Sequence, residues 1–413
     1  MTDQWTIIVN ETLAAELEKK LDRIAAAMLE AKYTFAGGDG VGDDEFGAAL
    51  FFFYYSRFKL HEEALDAGVE LIDGIFQRVN RELAEGRLTV SSSYFNTIGW
   101  LFEHLEQNDF LDIDTNEILD VLDDFIFQGM MADIQEENYD LVSGALGKAL
   151  YFMRRMPKKP ELSRFIEALI GELNRISQKV PDRGISWRHK IQSQEGDDVF
   201  VANMGLAHGI PGVVVFLARC AAMGLGGGIA VPLIDGAVDY IFSHQQDRGR
   251  FLSHFPQWIA GDSYASESRL AWCYGDLGVG TALLHTGRLM NRDSWREQAN
   301  IILKDTAKRD NLRQNAVQDA GLCHGTAGIG HMFNRLYQLE GITDYKTAAE
   351  FWFTKTLEMA SFPDGFAGFK AFKGEGEWQA KWDLHIGVSG IGLAIMSAIG
   401  ALEPAWDEIM LLS

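Results

Sequence analysis

Apolar residues along this chain fall into two recurrent kinds of segment. One kind is apolar on nearly every side. Residues 213–223 and 386–402 carry almost no charge, the first starting just after Gly212 and the second running through Gly387, as expected of a helix surrounded by protein. The other kind is striped. In 162–178, Phe165, Leu169, Leu173 and Ile176 recur at spacings of three and four with charged residues between them, the period of a helix with one face in a core and one in water. Residues 300–309 and 346–360 read the same way. Strand-like alternation is scarce, although 184–190, 248–258 and 366–382 bear Trp or Phe and predict small hairpins or long loops.

A glycine pattern marks where the fully apolar segments start. Gly-x-x-Gly recurs at 144–147, 209–212, 275–278, 325–328 and 387–390, with first glycines 65, 66, 50 and 62 residues apart. Each interval has room for a buried helix, a turn, a striped helix and a return loop, so the repeating unit is an αα-hairpin. Two weaker copies precede these, around 38–55 and 94–103. Six or seven hairpins with the buried helix inside predict an all-α fold: a closed α/α toroid forming one domain over 1–413, with small loop or hairpin insertions at one end. An open solenoid of the same hairpins is the competing architecture, but its concave helices would show a polar face. The glycines fit tight helix starts and close packing near the axis, where a barrel narrows.

Charge narrows the partners. With 59 acidic against 37 basic residues, the formal net charge of -22 would repel nucleic acid and an anionic membrane face. Residues 209–234 are interrupted by Pro211 and Gly224 and by glycines at 226–228, and 386–402 is shorter than a bilayer requires, so no transmembrane segment is expected. The start of the chain lacks the charge and apolar pattern of a signal peptide. Three cysteines cannot build a disulfide framework and suggest a reducing, cytoplasmic setting.

Candidate chemistry follows from the register of the repeats. Counted from the first glycine of its repeat, Asp140 lies four residues before, His208 one before, Cys273 two before, Cys323 two before, His324 one before and His385 two before. In a closed ring of parallel inner helices these positions would gather at one mouth. Two thiolates and an imidazole are soft to borderline ligands suited to Zn²⁺, and three protein ligands instead of four mark a catalytic site with an open position. Composition by itself leaves a plainer alternative, since free cysteines are commonly buried core residues and no compact Cys-x-x-Cys is present. Cys220, inside an apolar run, reads as core.

These residues carry a resemblance. Residues 268–280 (SRLAWCYGDLGVG) and 321–330 (GLCHGTAGIG) resemble the two zinc motifs of the lanthionine synthetase C-like family, the cyclases of lanthipeptide biosynthesis. Residues 202–212 (ANMGLAHGIPG) and 139–147 (YDLVSGALG) resemble two further family motifs in the same order. The matching motifs lie within 139–392, and the first 130 residues match little. The resemblance implies an α/α toroid, one catalytic zinc on Cys273, Cys323 and His324, and addition of a peptide cysteine to a dehydrated serine or threonine. It makes His208 the acid/base, Asp140 the carboxylate that orients it and Arg269 an enolate stabiliser. Taken singly, His208 could bond backbone at a helix start, Asp140 could be a helix N-cap, and Arg269 could pair with a nearby acid. Four residues before Cys273, Arg269 would share its face on a helical turn. Tyr274 either donates a hydrogen bond or packs. His385 fits the register but matches no family residue.

The implied partners are a dehydrated precursor peptide, a separate dehydratase, for which 413 residues leave no space, and a peptide exporter at the inner membrane face. Family relatives that add glutathione to dehydroamino acids in proteins would use the same chemistry. Zinc prenyltransferases also combine a toroid with a thiolate, but nothing suggests their isoprenoid pocket. A non-catalytic toroidal scaffold that binds peptide is the alternative outside enzymes, and it predicts no stoichiometric zinc.

Overall fold

A computed structural model describes residues 5–32, 43–85, 94–192, 198–261 and 266–413. Its contacts divide the chain into two compact units, one of 1–88 with 307–407 and one of 89–306 with 408–413. Among the described residues both are built from helical hairpins. In the first unit α2 (Asp43–Lys59) pairs with α3 (Glu62–Ala84), and α12 (Thr326–Glu340) pairs with α13 (Thr343–Met359). The last inner helix, α14 (Val388–Ile399), is covered by the first helix of the chain, α1 (Glu11–Ala31). In the second unit the pairs are α4 (Tyr94–Gln107) with α5 (Asn116–Gln135), α6 (Ala145–Arg155) with α7 (Ser163–Ile176), α8 (Ile210–Ala222) with α9 (Ala230–Ser243), and α10 (Asp276–Leu289) with α11 (Asp293–Thr306).

The two kinds of helix differ as their sequences require. Every residue of α14 is buried, and α2 buries Phe51, Phe52 and Phe53 in succession, which only a helix enclosed on all sides can do. In α7 the buried residues are Phe165, Ile166, Leu169, Ile170, Leu173 and Ile176, each aliphatic or aromatic side chain contributing about 1.5–3 kcal/mol. Inner helices pack side by side, α12 on α14 and α14 on α2 in the first unit, α4 on α6 and α8 on α10 in the second. The expected helix at 300–309 overlaps the latter part of α11, which ends at Thr306 and whose polar first turns hid its start. Of the weaker copies, 94–103 lies within α4 and 43–55 within α2, while 38–42 falls outside the described residues.

The N-terminal segment has a definite task. Trp5 Nε1 donates to the Ser397 carbonyl (2.8 Å) and Ile8 N to Ala398 O (3.1 Å), fixing the approach to α1. Asn10 then caps it, its side-chain oxygen accepting from Leu13 N (3.0 Å).

Strands are few and short. β1 (Gln178–Val180) and β2 (Gly184–Ser186) form an antiparallel hairpin. β3 (His189–Gln192), β4 (Asp198–Asn203) and β5 (Trp258–Ile259) form a three-stranded sheet in that order. β6 (Ala371–Gly374) and β7 (Glu377–Gln379) form a second hairpin. Of the stretches expected as hairpins or loops, 184–190 carries β2 and the start of β3, 366–382 carries the second hairpin, and 248–258 is loop up to Trp258, while β1 and β4 lie outside them. Trp187, fully buried between β2 and β3, anchors them by donating to Leu173 O (2.8 Å).

The paired glycines serve the tight helix starts expected of them, and Gly278 and Gly390 also meet side chains of a neighbouring repeat, where a Cβ would stand 3.2 Å from Leu206 Cβ and 2.8 Å from Leu322 Cδ1. In all five repeats a Cβ on the second glycine would stand 1.8–2.5 Å from the carbonyl oxygen of the residue six positions earlier: Leu141, Leu206, Trp272, Leu322 or Leu384. The loop before each inner helix therefore curls under the helix's own first turn, and no side chain fits between. Gly275 is additionally left-handed at φ 92°.

Candidate active site

The curled loops hold the reactive residues. In the repeat of α6, Asp140 is nearly buried and divides its carboxylate between two tasks. One oxygen accepts from the backbone N–H groups of Val142 (2.7 Å) and Ser143 (2.8 Å), so it does cap the turn that leads into the helix. The other lies 2.6 Å from His208 Nδ1. Burial pushes Asp140 upward, but the hydrogen bond and charge of His208 and the two N–H groups outweigh it and hold the carboxyl below its ordinary range. Burial likewise opposes a charge on His208, yet the bond and charge of Asp140, helped by Cys273, raise its pKa. An ionised Asp140 can only accept, so Nδ1 carries a proton and Nε2 remains for exchange.

Cys273 and Tyr274 precede α10 in the same unit, with Cys273 buried. The Tyr274 hydroxyl accepts from Asn203 Nδ2 (3.2 Å), and its ring lies 5.3 Å from that of His208. Gly205 makes this approach feasible: a Cβ there would meet Cys273 O at 2.4 Å and the Tyr274 ring at 2.8 Å. Trp258 of β5 meets Tyr274 edge to face at 6.4 Å. Arg269 is half-buried, but 266–275 is not helical, so the shared helical face expected for Arg269 and Cys273 does not exist. Gly275 instead brings the chain back over the Arg269 carbonyl.

In the first unit Cys323 and His324 precede α12. Cys323 N donates to His385 O (2.7 Å). Gly321 lets the two segments touch, since a Cβ there would stand 2.8 Å from Ile386 Cα. The ligand atoms of Cys273, Cys323 and His324 lie within 4.8 Å of one another, a group that could hold a metal ion.

Three residues near these loops escaped the sequence reading. Asn138, Asn203 and Asp319 each stand six residues before the first glycine and accept, through a side-chain oxygen, from the backbone two residues on: Asp140 N, Gly205 N and Gly321 N. Their shared register was a signal that could have found them. His189 of β3 could not have been found this way. Burial, together with the charge of His208, lowers its pKa, so it contrasts with His208.

Repeated hairpins with an enclosed inner and a striped outer helix, and reactive residues in the loops before the inner helices, define proteins of the α/α-toroid class. Within that class, the model of the family described as Lanthionine synthetase C-like protein matches residues 45–411, and the chain belongs to that family. It is 22% identical over 230 residues to the nisin biosynthesis protein NisC of Lactococcus lactis subsp. lactis, a match covering 52% of this chain and 54% of that protein, so it spans about half the length of this relative. The solved structure of nisin cyclase superposes with a TM-score of 0.73 at 18% identity, covering 98% of each chain. The fold is that of the α/α toroid.

Proposed function

We propose that this protein is a zinc-dependent lanthipeptide cyclase, joining cysteine thiols of a precursor peptide to dehydroalanine or dehydrobutyrine to form (methyl)lanthionine rings. The observation that carries this reading is the grouping of Cys273, Cys323 and His324 ligand atoms within 4.8 Å, in a chain of the lanthionine synthetase C-like family. The donor set fits zinc: two thiolates and an imidazole suit a borderline-soft ion and leave a fourth position open. When bound, zinc would supply a Lewis acid that keeps a peptide thiol deprotonated at neutral pH.

The remaining chemistry belongs to side chains. As the carbon–sulfur bond forms at the β-carbon, the electrons of the double bond pass to the carbonyl oxygen, and the α-carbon must take a proton. His208 gives that proton from Nε2, held in the required tautomer by Asp140 at Nδ1. The proton lost by the incoming thiol restores the imidazolium. Arg269 and Tyr274 act as the cation and donor that stabilise the enolate. The partners in this reading are a dehydrated precursor peptide, a separate dehydratase and an exporter, and the setting is the cytoplasm. Among the described residues no helix is long and apolar enough to cross a membrane.

The test is incubation with candidate dehydrated peptides, thiol alkylation and mass spectrometry, alongside metal analysis. Rings leave the peptide mass unchanged and abolish alkylation, with one zinc per chain that is lost on Cys323→Ala. Adducts of added glutathione would move the assignment to glutathione transfer. Thiols that stay alkylatable throughout, in a protein without stoichiometric zinc, would leave only a peptide-binding scaffold.

A further inference from the structure

The residue six positions before the inner-helix glycine turns the loop in three repeats, and two of them use an amide for it. Asn138 and Asn203 accept a backbone N–H through Oδ1 and donate through Nδ2, to Ser143 O (3.2 Å) and to the Tyr274 hydroxyl (3.2 Å). In the repeat that carries Cys323 and His324 the same position is Asp319. An amide would suffice for the turn, where Oδ1 accepts from Gly321 N (3.1 Å). The difference lies at the second oxygen. Asp319 Oδ2 accepts from Phe372 N of β6 (3.0 Å) and lies 3.7 Å from His324 Nε2. An asparagine in the same pose would aim N–H groups at the Phe372 N–H and at an imidazole N–H. The carboxylate is almost wholly buried, where a mismatch of donors is costly.

From this geometry we infer that Asp319 is the positioning residue of the metal ligand His324: it draws the Nε2–H toward itself and so presents Nδ1 to the metal. The inference rests on the zinc reading above. At 3.7 Å the contact is longer than a hydrogen bond, so Asp319 acts on the ring through its charge, and a carboxylate beside a metal-ligating imidazole both orients the ring and raises its basicity. The same oxygen ties His324 to the β6–β7 hairpin, whose Phe372 and Trp378 rings lie 5.2 Å apart.

The deciding variant is Asp319→Asn, which keeps the turn in the manner of Asn138 and Asn203 and changes only the second atom. Zinc affinity, read by chelator competition, should fall roughly 10- to 100-fold, with thermal unfolding of the zinc-free proteins compared to report any loss of fold. Independently, the wild-type protein loaded with cobalt(II) in place of zinc should show a single strongly broadened carbon-bound ring proton from His324, since only Hε1 adjoins Nδ1. Unchanged affinity in the variant, or two broadened ring protons in the wild type, overturns the inference while leaving the zinc reading intact. Wild-type protein that takes up no zinc at all overturns the zinc reading itself, and this inference with it.

Discussion

Asp140→Asn isolates the electrostatic part of the His208 pair, because the capping half of the side chain survives. The asparagine oxygen can still accept from Val142 and Ser143, so its amide must face His208 Nδ1, which now has to accept. Two consequences follow. The neutral imidazole carries its proton on Nε2, and the imidazolium loses a charge-assisted bond of 2.6 Å to a nearly buried carboxylate. Such a bond contributes about 1.5–3 kcal/mol, and its loss should lower the His208 pKa. The acid form at neutral pH becomes correspondingly rare, and cyclisation should slow by up to about 10²–10⁴, the usual contribution of a general acid. The assay is an NMR titration of the ring protons in histidine-labelled protein, paired with cyclisation rate against pH, whose limb assigned to His208 should move to lower pH. A variant whose His208 titrates as in wild type, with the same rate profile, would refute the assigned role of Asp140.

Three further outcomes are expected. Gly205→Ala places a methyl group 2.4 Å from Cys273 O, so it should destabilise by about 1–3 kcal/mol through overpacking and reduce zinc content, measured by calorimetry and metal analysis. Cys220 is buried in α8 and its thiol is pushed far up by burial and by Glu167; a thiol reagent applied to native zinc-free protein should modify the partly exposed Cys323 and spare Cys220, as peptide mapping would show. Burial would raise Asp305, but bonds from Arg248 and His254 hold its pKa below the ordinary value. Its stabilisation is therefore present above the unfolded carboxylate pKa and lost as pH falls through the lower folded one, so Asp305→Asn should shrink the difference in thermal stability between neutral and acidic pH.

The inner helices were legible because their loops repeat. Gly-x-x-Gly is a steric requirement met five times, and it located Asp140, His208, Cys273, Cys323 and His324 in equivalent places. The glycines pointed to tight helix starts; what periodicity could not convey was how each start is made, by a loop that curls under the helix and leaves no mark in an apolar pattern. The helical spacing of Arg269 and Cys273 misled for a related reason: a four-residue offset means a shared face only where the backbone is helical, and Gly275 marks a loop there. Asp319 was readable in register but its burial was not, because burial of a carboxylate depends here on a hairpin some fifty residues later. The pairing of α1 with α14 was hidden altogether, since no local signal links segments at opposite ends of a sequence.

That pairing bears on how the chain must be made. Residues 89–306 form most of one unit without interruption, whereas the other gathers 1–88 and 307–407. A ribosome thus releases α1 long before α14 exists, and the exposed apolar stripe of Leu13, Leu17, Leu21 and Ile24 must wait without its cover. Contacts so remote in sequence form late, so pulse-labelled hydrogen exchange during refolding should find amides of α8 and α10 protected ahead of those in α1. A nascent chain stalled before residue 388 would be a natural client for chaperones, with its first helix the segment they hold.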